Sequence, residues 1–319
     1  MARIAEAQFM SLLKTYTQKI RPFFDDPKIV EIMANPGGDV WIDELGSGMR
    51  PAGCKLAANE IEGLISIVAS WADTTVTKES PILSSELPTG ERFEGLISPV
   101  VASPVFAIRK PASLIYTFDN YVAAGIFPES LKPLFVEAVR ERKNILIVGG
   151  TGSGKTTLIN AFIQEIAKEA SDQRIISIED TRELQIVSPN VVSLRTSDRV
   201  DMTRLLRSCM RLRPDRIIVG EVRGPEALAL LKAWNTGHPG GLATVHANDA
   251  KSGLTRLEQL LWEAGIPDHA SRPIISEAIN MIVSIQRTKD GRRVKDVLVV
   301  EGRDSEGDYQ VRSLLSPAA

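Results

Sequence analysis

The sequence predicts an α/β protein in which a mainly parallel sheet domain follows a smaller α+β domain. The chain has 319 residues, a length that suits about two domains. In its first third, helical patterns precede a run of short strands separated by prolines and glycines, the order expected of an α+β domain. In the remainder, apolar runs of strand length alternate with helical segments, which is typical of a parallel sheet covered by helices.

The first domain is expected to span residues 1–111. Its opening helix ends before Pro22 and carries apolar residues at helical spacing, namely Phe9, Leu12, Leu13, Tyr16 and Ile20. We expect this helix to pack on its own domain or on a neighbouring subunit. Docking at a membrane surface is the less favoured alternative, because the polar face of the helix is only weakly basic.

Turn residues and apolar spacing predict the rest of the first domain. A turn at residues 35–38 precedes a short strand at 40–43, and Asn59 is expected to cap the helix that follows it. Strands are predicted at residues 82–87, 92–98 and 105–110. Residues 112–120 have little periodicity, and we interpret them as a linker.

The second domain is expected to span residues 121–319. Helices at 121–127 and 129–142 lead into the apolar run 144–148. Further strands are predicted at 174–179, 190–194, 216–220, 242–246, 281–286 and 294–301. Helices are predicted at 158–163, 202–212, 226–235, 252–264 and 272–280.

Composition and charge argue against non-specific nucleic-acid binding, a disulfide framework and a membrane-spanning segment. The formal net charge of −2 gives no support for non-specific nucleic-acid binding, which needs a basic surface, although a local basic channel stays open. Cys54 and Cys209 belong to no paired motif, so reduced thiols in the cytosol are expected. The amino-terminal residues lack the apolar core of a signal peptide, and no apolar run approaches the ~20 residues of a membrane span. We expect a cytoplasmic protein that could dock on a membrane complex.

A glycine-rich stretch links the apolar run 144–148 to the helix at 158–163. Residues 149–156 match the P-loop pattern G-x-x-x-x-G-K-[ST]. In a P-loop, backbone N–H groups and the positive end of the following helix dipole face the phosphates. Lys155 can reach the β- and γ-phosphates, and the Thr156 hydroxyl can coordinate Mg²⁺. We therefore expect a nucleoside triphosphate site with the binding residues Gly150, Thr151, Gly152, Ser153, Gly154, Lys155, Thr156 and Thr157.

Two predicted strands end in carboxylates that could serve this site. Glu221 follows the run 216–220, while Glu179 and Asp180 follow the run 175–178. In P-loop enzymes an acidic residue at such a strand end lies beside Mg²⁺ and the attacking water. We expect Glu221 to orient or activate water and Glu179 to assist, and both could hold Mg²⁺ directly or through a water. A solvated residue after a core strand is the alternative for each.

Two of the three histidines, His238 and His246, lie around a glycine-rich turn and the predicted strand 242–246. A histidine can hydrogen-bond a γ-phosphate or an attacking water, and a structural role is the alternative for either residue. A zinc site is not favoured, because no cysteine or third ligand lies at suitable spacing.

The order of these motifs resembles that of the bacterial secretion traffic ATPases. The P-loop is followed by the acidic pair 179–180, the strand and glutamate at 217–221, and the histidine box at 237–246. The phrase at 211–224, which reads RLRPDRIIVGEVRG, is similar to the type IV secretion branch, and the whole chain resembles TrbB-type conjugative transfer ATPases. The resemblance implies a homo-hexameric ring in which each chain has an N-terminal domain, a linker and a RecA-like P-loop domain, with ATP between the two domains.

The resemblance also implies roles for residues that spacing alone does not single out. Arg92 and Arg109 of the first domain match arginines that close over the γ-phosphate, where they would stabilise charge in the transition state. Without the resemblance, both would be expected to face solvent. His246 would sense the γ-phosphate. Further arginines around Glu221 are interpreted as subunit contacts; these are Arg207, Arg211, Arg213 and Arg223.

The function implied by the resemblance is that of a Mg²⁺-dependent ATPase of a conjugative type IV secretion system. Hydrolysis would drive domain motion that powers apparatus assembly or transfer, at the cytoplasmic side of the inner membrane and with inner-membrane partners. ATP is favoured over GTP, since the chain has no Asn-Lys-x-Asp motif. The alternatives are a motor of the type IV pilus kind, a RecA-like nucleic-acid motor, and a nucleotide-dependent switch without motor activity; direct nucleic-acid binding is not indicated.

Overall fold

A computed structural model of the protein describes residues 6–45, 47–111, 115–197, 199–288 and 291–315. The chain divides into two compact units, Met1–Ser113 and Leu114–Ala319. Each unit has its own sheet and its own apolar core. The predicted mixed α/β fold with two sheets is confirmed.

The first unit contains a six-stranded antiparallel sheet in the order β3-β2-β1-β6-β5-β4. Its strands are β1 (Ile29–Ala34), β2 (Asp39–Glu44), β3 (Gly48–Lys55), β4 (Ile82–Glu86), β5 (Arg92–Leu96) and β6 (Val105–Arg109). Its helices are α1 (Glu6–Tyr16), α2 (Arg21–Asp25) and α3 (Ala58–Trp71). The sequence did not predict β1 and β3, because neither shows a clean alternation of apolar and polar residues.

Two details of the first unit differ from expectation. Helix α1 ends at Tyr16, and the chain re-enters a helix at Arg21, where Pro22 suits the first helical turn. Helix α3 begins two residues earlier than predicted, so that Ala57 and not Asn59 is the N-cap. The Glu60 carboxylate accepts the Ala57 N–H at 2.7 Å and so satisfies one unpaired donor at the helix start.

The second unit is built on an eight-stranded sheet in the order β14-β13-β12-β7-β11-β10-β8-β9. The six strands from β12 to β9 in this order are parallel, while β13 and β14 extend the sheet in antiparallel pairing. The strands are β7 (Ile145–Val148), β8 (Ile175–Glu179), β9 (Val191–Arg195), β10 (Arg216–Val219), β11 (Leu242–Val245), β12 (Met281–Thr288), β13 (Gly291–Arg303) and β14 (Tyr309–Ser313).

Helices cover both faces of this sheet. They are α4 (Phe118–Ala123), α5 (Leu131–Arg140), α6 (Lys155–Glu169), α7 (Met202–Cys209), α8 (Glu226–Asn235), α9 (Ala250–Glu263) and α10 (Asp268–Ala278), with a short 3₁₀ helix at Met210–Leu212. Helices α4 to α6 pack on one face, and α7 to α10 pack on the other. In the first layer, the ring centroid of Phe162 lies 4.9 Å from that of Phe118 and 5.1 Å from that of Phe135, so α6 rests on an aromatic cluster.

The topology places chemistry-bearing residues at one edge of the sheet. Strands β7, β8, β10 and β11 are mutually parallel, so their carboxyl ends meet at the same edge. Ligands of open α/β sheets bind at that edge. The segments that leave it here are the glycine-rich loop after β7, the acidic loop after β8, Glu221 after β10 and His246 after β11.

At the opposite edge of the sheet, the buried side chain of Arg216 makes hydrogen bonds to three separate segments of the chain. Arg216 is 2% exposed, and its guanidinium donates to Gln173 Oε1 at 2.5 Å, Gly240 O at 3.0 Å and Val139 O at 2.9 Å. Burial lowers the pKa of Arg216 to about 10, which leaves the group protonated at neutral pH. Gly240 has φ +83°, and a Cβ there would lie 2.4 Å from the guanidinium, so only glycine leaves room for it.

We expect Arg216→Met to lower the free energy of unfolding of the second unit by about 3 kcal/mol, because buried carbonyls lose their donors. Arg211→Met is the matched control, since Arg211 is exposed, and it should change stability by at most about 0.5 kcal/mol. Urea unfolding of the purified variants measures both values. Equal stability of the two variants would contradict a structural role for the Arg216 hydrogen bonds.

Candidate active site

Backbone conformation and close packing require glycine at three positions of the loop between β7 and α6. Gly152 and Gly154 have φ values of +68° and +99°, which residues with a Cβ rarely adopt. A Cβ at Gly154 would lie 2.9 Å from Arg292 Cδ, and one at Gly149 would lie 2.3 Å from Ile285 O. The loop therefore has the compact, glycine-dependent backbone that is typical of a P-loop.

Lys155, the first residue of α6, turns back over this loop. It is 8% exposed, and its ammonium donates to Gly149 O and Gly150 O, both at 3.0 Å. Burial lowers the pKa of Lys155, while the charge of Glu221 opposes that change. A cation held over two carbonyl oxygens of a P-loop is placed to exchange those carbonyls for phosphate oxygens.

Thr156 lies beside an acidic residue that the sequence analysis did not single out. Its hydroxyl donates to Glu183 Oε2 at 3.0 Å. Asn160, one turn further along α6, donates to Glu183 O at 3.0 Å and accepts the Gln185 N–H at 2.9 Å. The loop after β8 is thereby fastened to α6, and it presents the Glu183 carboxylate to the Thr156 hydroxyl. A hydroxyl and a carboxylate are oxygen donors of the kind that Mg²⁺ takes.

Glu179, which was expected to assist at the metal, ends β8 and is 5% exposed. Its Oε1 accepts the N–H groups of Glu183 and Leu184, each at 2.8 Å. These two bonds shape the start of the loop that carries Glu183. The carboxylate next to Thr156 is thus that of Glu183, four residues beyond the strand end. The sequence offers one indication of the role of Glu183, namely that it is a second glutamate within five residues of the strand end at Glu179.

Glu221 lies between two nitrogen-bearing side chains. Its Oε2 accepts from the Arg223 guanidinium at 2.6 Å, and its Oε1 lies 2.7 Å from His246 Nε2 in an orientation that falls short of hydrogen-bond geometry. Burial alone would raise the pKa of the Glu221 carboxyl, but the bond to Arg223 and the charges of Arg223 and Lys155 lower it below its ordinary value. Glu221 is therefore a carboxylate at neutral pH.

His246 connects Glu221 to the P-loop lysine. Both of its ring nitrogens lie 3.4 Å from Lys155 Nζ. Burial and the charge of Lys155 lower the pKa of His246, so the imidazole is neutral at pH 7. By contrast, His238 precedes β11 at the other edge of the sheet, where its Nδ1 lies 2.8 Å from Pro214 O. The two histidines of one sequence box thus lie at opposite edges.

Arg223 was interpreted as a subunit contact, and the structure gives it partners within the chain. Besides Glu221, its guanidinium lies 3.5 Å from Asp180 Oδ2. Its side chain is 57% exposed, so it covers the Glu221 carboxylate from the solvent side. The Arg223 charge thereby holds Glu221 in its ionised form.

Arg92 and Arg109 lie in the first unit. They are directly opposite each other in the antiparallel pairing of β5 with β6, and Glu31 of β1 pairs with Arg109 from the other side. The two arginines that the resemblance selects are therefore neighbours on one sheet, at the end of β6 and the start of β5. Their role at a γ-phosphate stays a prediction.

The amino-acid sequence is similar to those of a known protein family and of named proteins within it. A family model described as type II/IV secretion system protein matches residues 16–295. The chain is 51% identical over 290 residues to the probable conjugal transfer protein TrbB of Sinorhizobium fredii, covering 91% of this chain and 88% of that protein. It is 31% identical to the type IV secretion system protein VirB11 of Bartonella henselae, covering 90% and 93%.

Among solved structures, the chain is similar to the VirB11 ATPase of the Brucella suis type IV secretion system in complex with sulphate. The two share 28% sequence identity with a TM-score of 0.50, over 92% of this chain and 96% of that one. The similarity therefore extends over both units of the chain.

Proposed function

This chain belongs to the type II/IV secretion system protein family, and we propose that it is the ATPase of a conjugative type IV secretion system. One observation carries the enzymatic part. Lys155 and Thr156 of the P-loop share the carboxyl edge of the sheet with Glu183, Glu221 and His246. The 51% identity to a conjugal transfer protein supports the conjugative part.

The residues of the second unit suggest how ATP would be held. Inward-facing amides of the loop 150–157 would bind the phosphates, and Lys155 would leave Gly149 O and Gly150 O to neutralise the β- and γ-phosphates. The Thr156 hydroxyl and the Glu183 carboxylate would hold Mg²⁺, with Glu221 and Glu179 contributing directly or through water. When bound, Mg²⁺ would supply positive charge that neutralises the phosphate oxygens.

We assign the activation of water to Glu221. The carboxylate would accept a proton from the water while the water oxygen forms a bond to the γ-phosphorus. At the same time, the bond from that phosphorus to the ADP oxygen would break. Arg223 keeps Glu221 ionised for this task. His246, which is neutral and lies next to both Glu221 and Lys155, would orient the water or sense the γ-phosphate.

The remaining parts of the proposal rest on the resemblance. Arg92 and Arg109 would approach the γ-phosphate and stabilise its charge, and their release after hydrolysis would let the first unit move. The chain would form a homo-hexamer bound to inner-membrane components of the apparatus, on the cytoplasmic side. Among the described residues, no helix combines the length and apolar character that crossing a bilayer requires.

Mating assays test the conjugative role. An in-frame deletion of the gene should reduce transfer to the background of a transfer-deficient donor, and the parental gene supplied in trans should restore it. Lys155→Ala should fail to restore transfer, whereas Lys168→Ala, which removes a lysine that is 53% exposed on the same helix, should succeed. Transfer at the parental frequency from the deletion strain would contradict the proposal.

Light scattering after gel filtration tests the assembly. With MgADP or a non-hydrolysable ATP analogue, we expect a mass of six chains of 34.9 kDa each. A monomer at every nucleotide condition would contradict the ring.

A further inference from the structure

A groove of about 470 Å³ opens beside the P-loop. Gly150, Thr151 and His246 line one part of it, so the groove adjoins the loop that would bind the phosphates of a nucleotide. It continues along α9 and past Asn248. All of these residues belong to the second unit.

One face of α9 supplies the far wall of the groove. Ser252, Thr255, Arg256 and Gln259 line it, with the i, i+3, i+4, i+7 spacing that puts side chains on one side of a helix. The opposite face of α9 is buried and, apart from Glu258, apolar, which fixes the polar face toward the groove. Gly253 is buried in close packing, since a Cβ there would lie 2.9 Å from Val148 Cγ1 of the P-loop strand.

The lining chemistry suits an anion. In the described part of the chain, the groove is lined by hydroxyl, amide and imidazole side chains and by one guanidinium, and no Asp or Glu contributes to it. Arg256 has five N–H donors. Its guanidinium donates to Gln259 Oε1 at 3.2 Å and to Arg223 O at 3.3 Å, and it lies 3.6 Å from the Glu263 carboxylate. Glu263 is 49% exposed, so this ion pair is a weak competitor for an incoming anion.

We infer that this groove is a second phosphate site, which takes the inorganic phosphate cleaved at the P-loop before it leaves the protein. The inference rests on the proposed ATPase function. In an in-line displacement the phosphoryl group moves away from ADP, and cleaved phosphate would enter the groove on the side lined by Gly150, Thr151 and His246. Arg256 also holds the backbone of Arg223, whose side chain covers Glu221. Phosphate in the groove is therefore coupled to the residue that activates water.

Titration calorimetry with inorganic phosphate tests this site on full-length protein saturated with MgADP, so that the P-loop is already filled. Arg256→Gln should bind phosphate about tenfold more weakly than the parental protein, since it loses charge-assisted hydrogen bonds. Thr255→Val, which removes a hydroxyl at an exposed position without changing the arginine, should bind about threefold more weakly. Both variants should bind ADP with unchanged affinity.

Lys251→Gln is the matched control, because it removes one positive charge from the same helix outside the groove. It should bind phosphate as the parental protein does. Phosphate binding that is absent from the MgADP complex, or that is equal in all four proteins, would overturn the inference. Thermal unfolding of each variant separates loss of binding from loss of fold.

Failure of the ATPase proposal has a different signature, namely that the parental protein does not bind ADP. In that event phosphate is titrated into nucleotide-free Lys155→Ala with and without Arg256→Gln. The difference between those two proteins isolates the groove from the P-loop, and equal affinities would again overturn the inference.

Discussion

Lys155→Ala is expected to lower ATP turnover by a factor of about 10³ or more, as for the loss of a preorganised charge at a reacting phosphate. Lys155 is the buried cation of the P-loop, held by Gly149 O and Gly150 O at 3.0 Å. Without it, the charge that develops on the γ-phosphate has no cation at this position. Its removal takes the donor from these two carbonyl oxygens and should lower the free energy of unfolding by about 1–2 kcal/mol, which leaves the protein folded.

Phosphate release from ATP and urea unfolding of the same preparation measure both effects. Lys168→Ala is the control, since Lys168 lies in the same helix, its side chain is 53% exposed, and its ammonium lies 3.0 Å from the Glu165 carboxylate. Its turnover should stay within about twofold of the parental value. Turnover of Lys155→Ala at the parental rate would show that this P-loop does not carry the activity.

Glu221→Gln is expected to lower turnover by a factor of about 10²–10⁴ while ATP binding is retained. The amide has the size of the carboxylate and cannot accept the proton of the attacking water. The Arg223 bond and the Lys155 charge keep the pKa of Glu221 low, so the parental enzyme holds its base ionised from neutral pH down to below the ordinary range of a glutamate. Loss of this carboxylate should therefore remove activity at every pH in that window.

Single-turnover kinetics with labelled ATP measure the chemical step, and equilibrium binding measures retention of ATP. Glu137→Gln, a change at a glutamate that is 54% exposed on α5, is the control and should behave as the parental protein. Glu183→Gln distinguishes the two acidic roles, because it should raise the Mg²⁺ concentration needed for half-maximal turnover. A Glu221→Gln protein with the parental single-turnover rate would contradict the assignment of the base.

The P-loop could be predicted from the sequence because its determinants are local. Glycines with positive φ, a following helix and a lysine at its first turn are set by a few consecutive residues. The parallel sheet followed from apolar runs that are buried on both faces, such as β7, β8 and β10. The sequence did not predict strand β14, because four of its five residues are exposed and show no alternation of apolar and polar residues.

The acidic side of the site depends on contacts that no local pattern encodes. Its position at the end of β8 selected Glu179, and its Oε1 accepts two amides of the loop that follows; its role at the metal stays a prediction. Glu183 lies next to Thr156 because Asn160 of α6 and the Glu179 carboxylate both hold that loop. The bond from Arg223 to Glu221 joins residues two apart in the chain, but their spacing alone does not show that the two side chains turn toward each other.

The most direct test of the central claim is the release of inorganic phosphate from ATP by the purified full-length protein, with Mg²⁺ and then with the metal chelated. The account predicts sustained release that stops when Mg²⁺ is removed and resumes when it is restored. Release that never exceeds that of heat-denatured protein, or that continues unchanged without Mg²⁺, would contradict it.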